Sequence, residues 1–255
     1  MKRYFPFILL AFSACTKSDY LDVNAGERPP LQAYISFVNA RPVATGIQFW
    51  TFTQQVTTTA VGANQSSPYL PATYGNVQIN FTEGNGSSYK ASRQFGNSAA
   101  YTENGGPNGP IPGYYHTVVA AAKKDDRSKD TLVLFYDDLS KAPDGKAKLR
   151  FLHFAAGIGD VQVTLQQQGS GKVWFEKVSY GSAGGGNLSG AAYDLGPFTN
   201  VNAGTISLTV SVNGKPLDIP ALASLKLEAG KAYTVLLNSS VNEKGVPGAS
   251  LLVHE

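Results

Sequence analysis

Cysteine is almost missing from this chain: there is one in 255 residues, at position 15. No intrachain disulfide can form, and a Cys/His zinc site in the body is excluded. Histidine is scarce as well, and His116, His153 and His254 stand far apart, none with a second histidine at ligand spacing. Charged residues make up only 15%, against roughly 25% in a typical soluble chain. The formal net charge is +3, and without Lys2 and Arg3 the count is 19 basic against 18 acidic residues. That balance excludes nucleic-acid binding through bulk charge. Long apolar runs are lacking too: the leading one, Tyr4–Phe12, falls well short of the roughly 20 residues that span a bilayer. No window sustains a 3.6-residue apolar period over helical length.

What the chain does contain begins with a leader. Met1-Lys2-Arg3 is a basic n-region, Tyr4–Phe12 a short apolar h-region, and Ser13-Ala14 small residues directly before Cys15. This pattern resembles the lipobox of bacterial lipoproteins, which implies a signal peptide over 1–14 and a lipid on the Cys15 sulfur. Several acyl chains, each methylene contributing about 0.8 kcal/mol, give stable anchoring where one chain is marginal. Residues 15–31 then read as a polar tether without periodicity, and Thr16 rather than Asp after the cysteine points to the outer membrane. The expected partner is therefore a membrane, met through the lipid at Cys15, and the expected location is the bacterial cell envelope.

From Gln32 onward, short β-branched and aromatic runs alternate with Gly, Asn, Pro and Ser clusters, which predicts an all-β chain. Strands are expected at 33–39, 46–53, 76–82, 88–95, 114–121 and 131–136, then at 148–154, 160–166, 172–178, 204–213, 223–228, 231–238 and 249–254. The pattern repeats. Ile35–Asn39 aligns with Leu149–His153, Gly46–Phe49 with Asp160–Val163, Gly75–Phe81 with Gly204–Val210, and His116–Val119 with Tyr233–Leu236. The polar, breaker-rich stretch 140–146 separates the two halves. The expected architecture is two tandem immunoglobulin-like β-sandwiches, the first over 32–140 and the second over 147–255. Arg150-Phe-Leu-His153, Asp160-Val-Gln-Val163 and Leu227–Val235 also carry a family pattern that resembles the bacterial domain of unknown function 4397. That resemblance implies a secreted or surface-anchored sandwich, often in tandem, with no established chemistry.

Motifs for catalysis, metals and cofactors fail on spacing. Asp125-Asp126, Asp137-Asp138 and Asp144 lack the rhythm of a calcium loop. Gly169-Ser-Gly-Lys172 is followed by Val173, so it is a turn and not a phosphate loop. No nucleophile elbow occurs. The expectation is no catalytic residue, no metal and no cofactor.

The distinctive signal is aromatic. In strand 46–53, alternation sends Ile47, Phe49 and Thr51 to one side and Gln48, Trp50 and Phe52 to the other. The sister positions are Gln162, Thr164 and Gln166. Trp50 and Phe52 read either as packing against the sister domain or a covering loop, or as an exposed shelf for a glycan or protein ligand. The long first-copy stretch Asn97–Tyr115 adds Tyr101, Tyr114 and Tyr115 as candidate ligand contacts. The functional expectation is a non-catalytic envelope lipoprotein acting in adhesion or interaction. A carbohydrate-binding accessory protein comes second and a hydrolase third.

Overall fold

The computed structural model describes residues 31–96, 109–167, 169–185, 197–239 and 246–254. It is all-β, with no α-helix among the described residues. The first sandwich holds β1 (Ala33–Asn39), β2 (Ile47–Thr51), β3 (Gln54–Gln55), β4 (Leu70–Ala72), β5 (Val77–Glu83), β6 (Tyr89–Phe95), β7 (Tyr115–Ala122) and β8 (Asp130–Asp137). The second holds β9 (Lys146–His153), β10 (Val161–Gln167), β11 (Ser170–Val178), β12 (Ser182–Ala183), β13 (Thr199–Asn202), β14 (Gly204–Val212), β15 (Lys215–Pro216), β16 (Leu225–Leu227), β17 (Ala232–Ser239) and β18 (Pro247–His254). Among the described residues one 3-10 turn occurs, Pro220–Leu222.

Each sandwich pairs two sheets. In the first, β4-β1-β7-β8 faces β3-β2-β5-β6. In the second, β12-β9-β17-β18 faces β11-β10-β14-β15, with β13 added to β9 and β16 to β14. Alternation along the strands fills the space between the sheets. Ile35, Phe37, Ile47, Phe49, Ile79, Phe81 and Val118 form one core, and Leu149, Phe151, Val161, Val163, Val210 and Val235 the other. Phe37 and Phe49 pack with ring centroids 4.6 Å apart. Each such side chain, wholly withdrawn from water, contributes roughly 1.5–3 kcal/mol.

The duplication extends to hydrogen-bond register. Phe37 lies opposite Val118 across the parallel β1/β7 pair, and Phe151 opposite Val235 across β9/β17. Phe49 pairs with Phe81 and Trp50 with Asn80, while Val163 pairs with Val210 and Thr164 with Thr209. Equivalent loops are also closed by equivalent residues. Asn39 donates through Nδ2 to Thr45 O (3.4 Å) and accepts the Arg41 N–H at Oδ1, and His153 holds Gly159 O through Nε2 (3.0 Å) while Nδ1 accepts from the Ala155 N–H. Gly46 stands where the second copy has Asp160, because a Cβ there would come within 3.1 Å of Ala60 Cβ.

The central strands β1, β7, β9 and β17 are buried nearly end to end. Parallel strands covered on both faces read this way, and here the second cover is the sister sandwich. The outer face of β1/β7/β8 packs on the outer face of β9/β17/β18 through Val38, Ala40, Val119, Ala121, Phe135, Leu152, Phe154, Leu236 and Leu252. By the register above, Val38 and Leu152 are equivalent, as are Ala40 and Phe154, Val119 and Leu236, and Phe135 and Leu252. The seam is therefore isologous: one face of the ancestral unit, used twice.

Candidate functional site

The free face of the first sandwich, on β3-β2-β5-β6, lies on the opposite side from the seam. Trp50 points outward from β2, half-buried, and its Nε1 donates to Thr82 Oγ1 (3.3 Å). Tyr89, brought in by a bulge between Phe81 and Thr82, sets its ring edge-on to Trp50 at 6.2 Å. Phe52 arrives differently from what alternation suggests. β2 stops at Thr51, and Phe52 sits in the two-residue connection to β3 with φ 51°. A bulky residue at positive φ is a backbone outlier. Three hydrogen bonds pin it: Phe52 N–H to Gln78 O (2.8 Å), Asn80 Nδ2 to Phe52 O (2.8 Å) and Tyr89 hydroxyl to Phe52 O (3.0 Å). The Phe52 side chain is nonetheless 43% exposed, so it adds little to the core. Neither Trp50 nor Phe52 packs against the sister domain, because the seam uses the other sheet.

Tyr114 and Tyr115 form a separate surface. Tyr115 stacks on its cross-strand partner Tyr34 at 5.3 Å and meets Tyr69 edge-on at 5.0 Å, while Tyr114 rests on Tyr136 at 5.7 Å. Tyr115 thereby roofs one end of the seam. Cys15 and Tyr101 lie outside the described residues.

Beneath that roof runs a polar ring that sequence reasoning missed. Arg150, wholly buried, donates from Nη1 to Asp137 Oδ1 (2.6 Å), from Nη2 to Thr117 Oγ1 (3.2 Å) and from Nε to Thr234 Oγ1 (3.0 Å). Tyr69 donates its hydroxyl proton to Asp137 Oδ2 (2.7 Å), so His254 Nδ1, 2.7 Å from that hydroxyl, must be the donor to it. His254 Nε2 is then an acceptor and takes the Thr234 hydroxyl proton at 2.7 Å. The circuit closes with every proton assigned: Arg150 donates to Thr234, Thr234 to His254, His254 to Tyr69 and Tyr69 to Asp137, and Arg150 donates to Asp137 as well. It requires neutral imidazole. Burial, helped by Arg150 and opposed by Asp137, pulls the His254 pKa down to about 4. Burial alone would raise the Asp137 pKa, yet Arg150, His254 and the two hydroxyls hold it below the ordinary carboxylate range.

Two further ties cross the seam. Tyr180 donates to Ala122 O (2.8 Å) under the Arg127 guanidinium, and burial pushes its pKa up to about 12. Lys148 Nζ reaches Asp138 Oδ2 and Ser140 Oγ, both at 2.7 Å. The third histidine, His116, accepts the Ile111 N–H at Nε2 (3.2 Å), and burial lowers its pKa to about 4.

A hydroxyl, an imidazole and a carboxylate in one hydrogen-bonded chain have the vocabulary of a nucleophilic triad. Thr234, however, is 0% exposed, and Asp137 only 2%. A nucleophile must meet its substrate, so this ring works as a structural clamp. No group of three His, Cys, Asp or Glu side chains suited to a metal occurs among the described residues.

No curated protein matches the chain. A solved structure of a provisionally assigned cell adhesion protein from Bacteroides uniformis aligns with 13% identity and a TM-score of 0.24, covering 88% of this chain and 97% of that one. The domain of unknown function DUF4397 matches residues 33–164, which take in the first sandwich, β9 and the start of β10, and so both Asp137 and Arg150. That match spans more than half of the sequence, and the chain belongs to the DUF4397 family.

Proposed function

We propose that the protein is a non-catalytic interaction module of the bacterial cell envelope, held by a lipid at Cys15 and acting in adhesion, with its binding surface on the first sandwich. The observation that carries this reading is the cluster of Trp50, Phe52 and Tyr89 on the free face. Thr164 stands in register with Trp50 in the sister copy and needs no aromatic to complete an equivalent fold. Two copies of one fold share packing demands, so aromatics confined to one outer face answer to something other than folding. Aromatic side chains supply large contact area at little rotamer cost. The leader supports the envelope location: a basic n-region, a short apolar run and small residues before the lone cysteine.

Two measurements test the proposal. Cys15→Ser should move the protein from the detergent phase to the aqueous phase, and continued membrane partitioning would place the anchor elsewhere. Cells displaying a Trp50→Ala, Phe52→Gly chain should adhere less than cells displaying an equal amount of the natural chain. Equal adhesion would remove the free face from the function.

A further inference from the structure

We infer that the β3-β2-β5-β6 face takes an uncharged saccharide chain, which rests on the reading of this face as the binding surface and names its ligand class. The first argument is charge. The four strands carry only three Asp, Glu, Lys or Arg side chains: Glu83, Lys90 and Arg93. Glu83 pairs with Arg41 and Lys90, and Arg93 reaches over the sheet edge to Leu132 O (2.6 Å). Of the three only Lys90 is well exposed, and it is paired with Glu83, so an acidic polymer, a phosphate-bearing lipid or a charged peptide would find little complementary charge on this face. Polyhydroxylated, neutral chains need apolar planes for their C–H faces and amide or hydroxyl groups for their rims. Both are present here. Trp50, Phe52 and Tyr89 provide the planes, and Gln78, Ser92 and Gln94 stand outward on the adjoining strands in cross-strand rows: Gln78 opposite Gln94, and Trp50, Asn80 and Ser92 in line.

The second argument is the backbone at Phe52. A positive φ suits glycine and penalises phenylalanine. Here the strained conformation is clamped by the Gln78 carbonyl, the Asn80 amide and the Tyr89 hydroxyl, and the ring it carries faces water. Asn80 is itself 0% exposed, so a buried amide is committed to holding an exposed aromatic in place. A fold optimised for stability alone would place glycine there. The clamp makes sense as preorganisation of a stacking platform.

The test is affinity electrophoresis of the natural chain, Phe52→Gly and Gln94→Ala through gels containing a β-glucan, xylan, galactomannan or glycogen, with alginate as the acidic control. Retardation by at least one neutral polymer is expected, unchanged between low and high salt, since no ion pair contributes. Phe52→Gly should weaken it about tenfold without loss of folding, because glycine relieves the backbone strain. Gln94→Ala should weaken it less. Salt-sensitive retardation by alginate alone, or no retardation by any neutral polymer, overturns the saccharide assignment. If, in that case, adhesion still depends on Trp50 and Phe52, a protein ligand replaces the saccharide and the interaction reading stands. If adhesion is also indifferent to them, both fall.

Discussion

Each sandwich has one face at the seam and one in solvent, and the two kinds of face have diverged in opposite ways. At the seam, equivalent positions became complements: Ala40 against Phe154, Val38 against Leu152, and Asp137 against His254, joined through Tyr69 in one ring. On the free faces, equivalent positions moved apart without reference to each other. Trp50 opposite Asn80 on one side corresponds to Thr164 opposite Thr209 on the other. Coupled divergence marks residues that share one packed cluster or one hydrogen-bonded ring; independent divergence marks residues that answer to different surroundings. The first kind should govern stability and the second binding.

The largest effect that can test this division is at Arg150. Arg150→Met leaves Asp137 buried without its guanidinium, and unfolding titrations should show a loss of about 3–5 kcal/mol. Adding Asp137→Leu should recover much of that loss, since a matched apolar pair restores packing without an orphaned charge. A loss under about 1 kcal/mol would mean that the ring does not hold the seam.

Acid is the next probe. His254 is neutral when folded, with its pKa near 4, and ordinary imidazole titrates near 6.5. As pH falls through that window the unfolded chain gains a proton that the folded chain refuses, so stability drops. Its contribution is fully present above the upper value and is lost by the lower one, on the order of 3 kcal/mol. Gln at this position can still accept from Thr234 and donate to Tyr69. His254→Gln should therefore flatten this part of the acid limb in thermal melts at pH 7 and pH 4. His116, lowered to about 4 as well, adds a loss of the same sign and similar size in both proteins, and His153, also lowered by burial, adds one of the same sign.

Phe52→Gly carries the opposite sign. Relief of the positive φ should raise stability by about 1 kcal/mol, read as a higher Tm, while binding falls. A lower Tm would make Phe52 a packing residue. Thr164→Trp on the sister face should shift stability by no more than about 0.5 kcal/mol, and it should bring no binding, because no pinned hairpin or bulged tyrosine accompanies it there. The smallest expected change concerns the domain division we propose at 140–147. Proteolytic nicking there should leave the halves co-eluting, because the seam's apolar contacts, the Arg150 ring and the Tyr180–Ala122 bond do not run through the connecting segment.

How much of this was legible beforehand follows from what each pattern encodes. Alternating β-branched and aromatic residues specify a strand with one buried face, and the thirteen runs read that way all contain strand. β4 was missed because Pro71 argues against a strand, although an edge position tolerates it. β3 and β15 are two residues each, below any periodicity. Alternation sends Phe52 outward, but β2 ends at Thr51 and Phe52 is exposed because of the turn it sits in. The seam is hard to read from sequence because Arg150, Thr117 and Thr234 look like solvent-facing polar positions on a strand and Asp137 like a solvated turn carboxylate, although it lies buried at the end of β8. The available signal was apolar continuity, as in Val118-Val119-Ala120-Ala121-Ala122 and Val235-Leu236-Leu237, which a half-buried strand does not need.

The isologous seam also sets the valence of the molecule. A two-fold interface joined within one chain is saturated at every protein concentration, so that face has no capacity left to recruit a second molecule. The copies pair internally and do not display two identical heads, and only one carries the aromatic platform. On the proposed reading, each chain is thus a single-handed binder. In the adhesive role we propose, any gain in grip would come from how densely chains are planted side by side, which would make surface abundance, more than the affinity of one site, the quantity that decides whether contact becomes attachment.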